Sequence, residues 1–197
     1  MPVTSDSQRQ LIEAFFRVAK EYPEQKMTFA MVAKRAGMSR ENAYRNHFRG
    51  IPEIIERIHF LIDNEIRTDF EKFISSEDPD ISKFFSTILP FLYEKQEWLR
   101  VLFNSDIDPN WLMFLQQKYI PLFTDYLDKL GKVDVFSNAF LSQIVVKEFL
   151  SIISTWLSTD SPEPPALFVK KFIHLLQQSP IDMLTQKSQF SYKDSNL

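Results

Sequence analysis

Cysteine is absent from the 197-residue chain, and glycine occurs only three times. The first absence excludes disulfides, thiol nucleophiles and cysteine-ligated metals, and it fits a reducing cytoplasm. The second leaves no place for a phosphate-binding glycine loop or a dinucleotide fingerprint. No stretch is apolar over the eighteen or more residues of a membrane span, and residues 1–10 are too polar for a signal peptide. We expect a cytoplasmic protein without a membrane partner.

Catalytic and metal-binding patterns are also missing. The three histidines, His47, His59 and His174, lie far apart, and no H-E-x-x-H or G-x-S-x-G pattern occurs. Acidic residues such as Glu148 have no partnering base and fit a solvated helix face. We therefore expect no enzyme activity, no metal and no cofactor.

The chain is rich in long apolar patterns of helical period. Hydrophobic residues make up 44% of it, enough for a sizeable core, and the eleven prolines group at segment ends. These features predict an all-α protein.

Residues 28–48, TFAMVAKRAGMSRENAYRNHF, have the layout of a helix-turn-helix. Thr28 can cap a first helix, Gly37 can end it in a left-handed conformation, and Ser39 can cap a second helix. Met38 would be the apolar residue of the turn.

The positive charge of the chain is concentrated at this motif. Residues 28–50 contain five Lys and Arg against one Glu, whereas the whole chain has a net charge of −3. Residues 1–60 hold ten basic against seven acidic residues, and residues 61–197 hold thirteen against nineteen. A basic segment in an acidic chain favours contact with DNA phosphates, although a solvated basic face on an ordinary helix pair gives the same count.

Several short motifs carry a family resemblance. They are LIEAFFRVAKEYP, then T-x-x-x-V-A-x-x-A-G-M-S, then Tyr44, His47-Phe48 and P-E-I-I. In this combination residues 8–60 resemble the N-terminal DNA-binding domain of the TetR family of transcriptional regulators. The resemblance implies a helix-turn-helix three-helix domain (1–52), joined by a long helix to a helical ligand-binding and dimerisation domain (53–178). We expect residues 179–197 to form a flexible tail.

The motif departs from the usual family pattern at two places. Tyr44-Arg45-Asn46-His47-Phe48 is one residue longer than the usual Tyr-x-His-Phe, so an extra residue must be absorbed at the end of the recognition helix. Arg49 stands near the position where relatives usually carry a phosphate-contacting Lys, and we expect it to substitute for that Lys.

The recognition helix supplies most candidate DNA contacts. Arg40 and Arg45 could bind guanine edges and Asn42 could pair with adenine, while hydroxyls and Arg49 suit phosphates. Tyr44 could instead be a packing aromatic, and for Phe48 we expect burial. The predicted DNA-binding residues are Thr28, Ser39, Arg40, Asn42, Tyr44, Arg45, Asn46, His47 and Arg49.

Beyond the motif, the apolar spacing predicts a long fourth helix from Pro52 to Ile74 that joins the two domains, with Ile55, Ile58 and Ile62 on its inner stripe. Asp108 is predicted to cap a seventh helix that starts at Pro109 and is kinked or divided near Pro121. The remaining predicted helices span about 7–21, 81–95, 96–104, 134–158 and 165–178. Asp80 is predicted to cap the helix at 81–95.

The last two predicted helices are apolar over more than one face. Either they are central helices of a monomer core, or they pair with their copies in a four-helix dimer interface. The resemblance favours a homodimer.

Aromatic residues are concentrated in the C-terminal part, with fourteen of nineteen phenylalanines and all three tryptophans beyond residue 60. They could be plain core, or they could line a cavity for a largely hydrophobic small-molecule effector, as the resemblance implies. The candidate ligand-binding residues are Phe84, Phe91, Trp98, Phe103, Trp111, Phe114, Tyr119, Phe123, Phe149 and Trp156.

The sequence therefore predicts a ligand-responsive transcriptional regulator, a repressor that binds a palindromic operator in double-stranded DNA as a homodimer. The alternative is a helical small-molecule-binding or protein-interaction module that keeps a helix-turn-helix scaffold without specific DNA readout. The polar side chains Arg40, Asn42 and Arg45 favour the first function. A helix-turn-helix that no longer recognised a DNA sequence should have lost such side chains.

Overall fold

The computed structural model describes residues 4–77, 79–104, 107–131 and 135–178. These residues form nine α-helices and one short 3-10 turn (Glu24–Lys26), with no β-strand among them. The helices are α1 (Asp6–Glu21), α2 (Phe29–Arg35), α3 (Arg40–Asn46), α4 (Ile51–Ile74), α5 (Ile81–Glu94), α6 (Gln96–Asn104), α7 (Trp111–Leu130), α8 (Asn138–Ser158) and α9 (Pro165–Gln177). The all-α class is confirmed.

Short polar side chains fix where several helices begin. Ser5 and Gln8 form a reciprocal capping box at α1, which starts one residue before the predicted Ser7. Asp80 caps α5 as predicted, accepting hydrogen bonds from the backbone N of Ser82 at 2.8 Å and of Lys83 at 3.3 Å. Each cap satisfies amides that the first helical turn leaves free.

Helices α1 to α3 and the start of α4 pack into an N-terminal head. Its interior is made of side chains that are 0–3% exposed: Leu11, Ile12, Phe15, Phe16, Val32, Ala33, Ala43, Phe48, Ile54 and Ile58. The head holds α3 on its surface through two of these residues, Ala43 and Phe48.

Helix α4 is one continuous rod of 24 residues that leaves the head and enters the C-terminal part. Ile58 and Ile62 of the predicted stripe are buried along it, and so are Phe70 and Phe73 further on. At the head end Ile54 is fully buried and Ile55 only partly, so the stripe begins one residue earlier than predicted. The head core is continuous with that of the C-terminal helices.

The start predicted for the seventh helix is wrong. Asp108 does not cap α7: the helix begins at Trp111, after Asn110, because the Asp108 carboxylate is used by the Asn110 backbone N (3.2 Å) and by His59. Pro109 therefore lies outside the helix. Pro121 does not divide α7, which continues past it with this proline exposed on its surface.

Helix α8 begins at Asn138 rather than near position 134. The Ser137 hydroxyl accepts from the Phe140 backbone N at 3.2 Å and so sets the start, while Phe136 stays outside the helix. Residue 134 itself and the predicted tail, 179–197, lie outside the described residues.

Among the described residues, one helix, α8, is long and apolar enough to cross a membrane by length and composition alone. Only 28% of its most apolar window is buried. A core helix of a monomer would hide more of this surface, so α8 presents an apolar face that the single chain does not cover.

Candidate nucleic-acid interface and its links to the C-terminal helices

The turn between α2 and α3 has the geometry that the sequence predicts. Thr28 caps α2 by accepting from the Met31 backbone N at 3.3 Å, and Gly37 takes a φ of 71°. Ser39 caps α3 by accepting from the Asn42 backbone N at 3.1 Å. The two caps and the left-handed glycine set the angle between the helices.

Helix α3 turns one small side chain inward and the rest outward. Ala43 is fully buried. Tyr44 is 52% exposed, so it is not the buried packing aromatic that the sequence left as an alternative. Phe48 is buried, as expected. The predicted DNA-binding residues Thr28, Ser39, Arg40, Asn42, Tyr44, Arg45, Asn46 and Arg49 are all exposed, and His47 is half-buried.

The extra residue between Tyr44 and Phe48 is absorbed just after α3. The backbone N of His47 and that of Phe48 both donate to the Ala43 carbonyl, at 3.1 and 3.0 Å. This shared acceptor lets the chain take one more residue and still return Phe48 to the core. Asn46 remains on the helix, where its Nδ2 donates to the Asn42 Oδ1 at 2.7 Å.

Two of the five cations at the motif are paired with carboxylates. Arg35 donates to both carboxylate oxygens of Glu21, with 2.6 Å to the first, and this guanidinium holds the pKa of Glu21 below its usual value. Arg45 lies 2.9 Å from Glu41 one turn away. Sequence reasoning missed both carboxylates, although the i, i+4 spacing of Glu41 and Arg45 was a readable signal.

The head is docked onto α6 by one aromatic and one ionic contact. The rings of Phe16 and Trp98 stack with centroids 5.0 Å apart, and Lys20 forms an ion pair with Glu97. The Lys95 ammonium lies 5.1 Å from the Trp98 ring centroid. A movement of α6 would therefore reach the head through α1.

Two polar contacts tie α4 to the region of α7. His59 pairs with the buried carboxylate of Asp108, and Tyr119 donates to the Asp63 carboxylate at 3.0 Å. His59 and Asp63 are one turn apart on α4, so both face the same neighbour. Burial, and then the negative charge of Asp63, raise the pKa of Tyr119 well above its usual value, which keeps the hydroxyl protonated.

The ten predicted ligand-binding aromatics do not line one common cavity. Phe91 and Trp98 line a cleft of about 830 Å³ between α1, α4, α5 and α6. Phe84 lines a smaller cleft of about 350 Å³ between the end of α4 and α5.

The other seven aromatics lie in ring contacts or packed clusters. Three of them surround the α4 to α7 junction: Phe114 stacks on His59 at 4.2 Å, and Phe103 and Trp111 pack beside it. Tyr119, Phe123 and Phe149 belong to a second apolar cluster around Phe70 and Phe73. Trp156 stacks on Phe168 at 4.2 Å. Among the residues that the structure describes, no group of three His, Asp or Glu could hold a metal ion.

A family model described as "Transcriptional regulator C-terminal region" of the TetR type matches residues 80–178, half of the chain. The chain belongs to the TetR family of transcriptional regulators. Membership makes it a transcriptional regulator and not an enzyme. The match lies in the C-terminal helices, whereas the resemblance seen in the sequence lies in the head.

A solved structure shares the fold of the chain. The chain is 16% identical to the dihydroxyacetone kinase operon activator DhaS, with a TM-score of 0.54, covering 87% of this chain and 94% of that one. It is 14% identical to the TetR family repressor AlkX from Dietzia sp. strain DQ12-45-1b, with a TM-score of 0.45, covering 85% and 96%. No curated protein matches the sequence.

Proposed function

We propose that this TetR-family regulator is a cytoplasmic repressor. It binds a palindromic operator in double-stranded DNA as a homodimer, and a largely hydrophobic small molecule releases it. The observation that carries the proposal is the placement of α3. This helix is held on the head by Ala43 and Phe48 and presents Arg40, Asn42 and Arg45 to solvent.

The polar groups of α3 suit a DNA groove. Guanidinium and amide side chains form bidentate contacts with base edges, each worth about 1–3 kcal/mol of discrimination. Around them, Lys34, Arg40 and Arg49 make no ion pair with any described residue, so their charge is available to phosphates. The cap residues Thr28 and Ser39 are exposed, and their hydroxyls suit phosphate contacts.

A gel-shift titration against the upstream region of the chain's own gene tests this proposal. The variant Arg45→Ala should lose at least about fivefold in affinity per half-site for the specific duplex. The matched control is Arg17→Ala, which removes an arginine of the same head that is also paired one turn away, with Glu13 at 3.6 Å. Equal binding of wild type and Arg45→Ala to every duplex would favour the alternative of a module without specific readout.

Uncovered apolar side chains on α8 and α9 support the homodimer. Phe140 on α8 is 48% exposed, Ile144 is 50% exposed, and Leu167 on α9 is 58% exposed. Next to them Phe136 stacks on Phe140 with centroids 5.2 Å apart and stays half-exposed. A second copy would cover these surfaces and place two recognition helices on half-sites about 34–36 Å apart.

The aromatic residues of the C-terminal helices support a hydrophobic effector. The cleft that Phe91 and Trp98 line lies between the head and the C-terminal helices. These rings give it apolar surface, and charged side chains such as Arg9, Glu94 and Lys95 line its polar part. A ligand there would press on α1 and α4 together. The contacts Phe16 to Trp98 and Asp63 to Tyr119 would pass the displacement to the head, changing the separation of the two recognition helices in a dimer.

A further inference from the structure

Glu41 stands at the centre of the outward face of α3. Successive residues of an α-helix are about 100° apart around its axis, so Glu41 and Arg45, two residues before and after the buried Ala43, each lie about 160° from it. Arg40 and Asn46, three residues away, lie only about 60° from Ala43 by the same geometry. The side chains of Glu41 and Arg45 are 70% and 73% exposed, in agreement with this placement.

The two side chains form one unit. The Arg45 Nη2 lies 2.9 Å from the Glu41 Oε1, and together with Arg40 and Tyr44 the pair borders a surface hollow of about 440 Å³. A guanidinium has five N–H donors on three edges, so pairing with Glu41 leaves donors free for another partner. The unit therefore presents donors on one side and acceptor oxygens on the other.

A carboxylate at the centre of a DNA-facing surface is repelled by phosphates unless a donor meets it. In the major groove, guanine offers two acceptors, N7 and O6, and the paired cytosine offers the N4 donor beside them. The donor, donor, acceptor order of Arg45 and Glu41 matches this edge in one orientation. An adenine–thymine pair offers acceptor, donor, acceptor, which opposes the unit at two of three positions.

We propose that the Glu41–Arg45 ion pair reads a single G·C base pair in each half-site, with Arg45 on guanine and Glu41 on cytosine. The inference rests on the proposed DNA readout and makes Glu41 a specificity-determining residue. Other base pairs are disfavoured because they place an acceptor, and not the cytosine N4 donor, opposite the carboxylate oxygens. The negative charge of Glu41 also lowers the affinity for all DNA.

Selection of duplexes from a random library, followed by sequencing, tests the inference with the full chain. Wild type should enrich a motif with an invariant G·C pair in each half-site. In Glu41→Ala the preference at that base pair alone should fall at least about fivefold, since a good contact is worth that much or more. Affinity of this variant for random duplex should rise, because one negative charge is gone, while the salt dependence stays the same.

The matched control is Glu13→Ala, which removes the carboxylate of the Glu13–Arg17 pair on α1 of the same head. It should raise affinity for random duplex in the same way and leave the motif unchanged. A Glu41→Ala motif identical to that of wild type would overturn the inference and leave the proposed function standing. Failure of wild type to enrich any motif would overturn both. Circular dichroism of Glu41→Ala should match that of wild type, because the Glu41 side chain is 70% exposed.

Discussion

The Asp63–Tyr119 contact yields a prediction with a defined size. Asp63 is 8% exposed, and its Oδ1 accepts from the Tyr119 hydroxyl at 3.0 Å, while the nearest cation, the Lys118 Nζ, is 4.0 Å from Oδ2. A hydrogen bond to a charged group contributes about 1.5–3 kcal/mol, and a buried carboxylate that loses its donor is left unsatisfied. Tyr119→Phe should therefore lower the free energy of unfolding by about 1.5–3 kcal/mol.

Urea unfolding followed by circular dichroism at one fixed protein concentration measures this loss, because dimer formation would otherwise shift the midpoint. Tyr126→Phe is the matched control. It removes a hydroxyl from the same helix that makes no hydrogen bond within the described residues, so its effect should stay below about 0.5 kcal/mol. A loss for Tyr119→Phe no larger than that of the control would refute the reasoning.

The same contact predicts a dependence on alkaline pH. Because burial raises the pKa of Tyr119 in the folded chain, the fold holds this proton more tightly than the unfolded chain does. The resulting stability is fully present below the unfolded tyrosine pKa of about 10 and is lost as pH rises above it. Tyr119→Phe should lose less stability than wild type between pH 9 and pH 11, and parallel losses would contradict this.

Two further substitutions test the interface and the turn. Ile144→Glu places a charge on the uncovered face of α8 and should produce monomers in sedimentation velocity. Met113→Glu, at an equally exposed position on α7, should leave the dimer intact. A stable Ile144→Glu dimer would move the interface elsewhere. The Cβ that Gly37→Ala adds meets no atom within 4 Å, but a φ of 71° strains any residue with a Cβ. Thermal unfolding should therefore show a free energy of unfolding lower by about 1–2 kcal/mol. No change would mean that the turn relaxes.

Most of the fold could be predicted because the helix boundaries have local causes. Thr28, Gly37, Ser39 and Asp80 act on their own first or last turn, and all four do what the sequence predicts. One error has a local cause that sequence reasoning missed, the Ser137 cap of α8. The other arises where a distant residue competes for the same side chain. Asp108 has the sequence context of a cap, but His59, 49 residues away, takes its carboxylate, so α7 starts later.

The same distinction between local and distant causes applies to the candidate site. Exposure of the α3 side chains follows from helical period and one buried alanine, which the sequence contains. The ligand-binding set could not be resolved in this way, because aromatic spacing shows that a helix face is apolar and not which rings meet. The structure places Trp98 against Phe16 of the head and Trp156 against Phe168, two contacts that depend on tertiary packing alone.

The packing also constrains how a signal could travel. Two connections join the head to the C-terminal helices. The first is α4, whose polar residues His59 and Asp63 form hydrogen bonds with Asp108 and Tyr119. The second is α1, which packs on α6 through Phe16 and Trp98. Helix α6 in turn packs on α8, the helix with the uncovered apolar face. A displacement of α6 would therefore act on the head and on the proposed dimer interface at once. An effector that moves only α4 would leave the Trp98 contact unchanged, so the environment of Trp98 distinguishes the two routes.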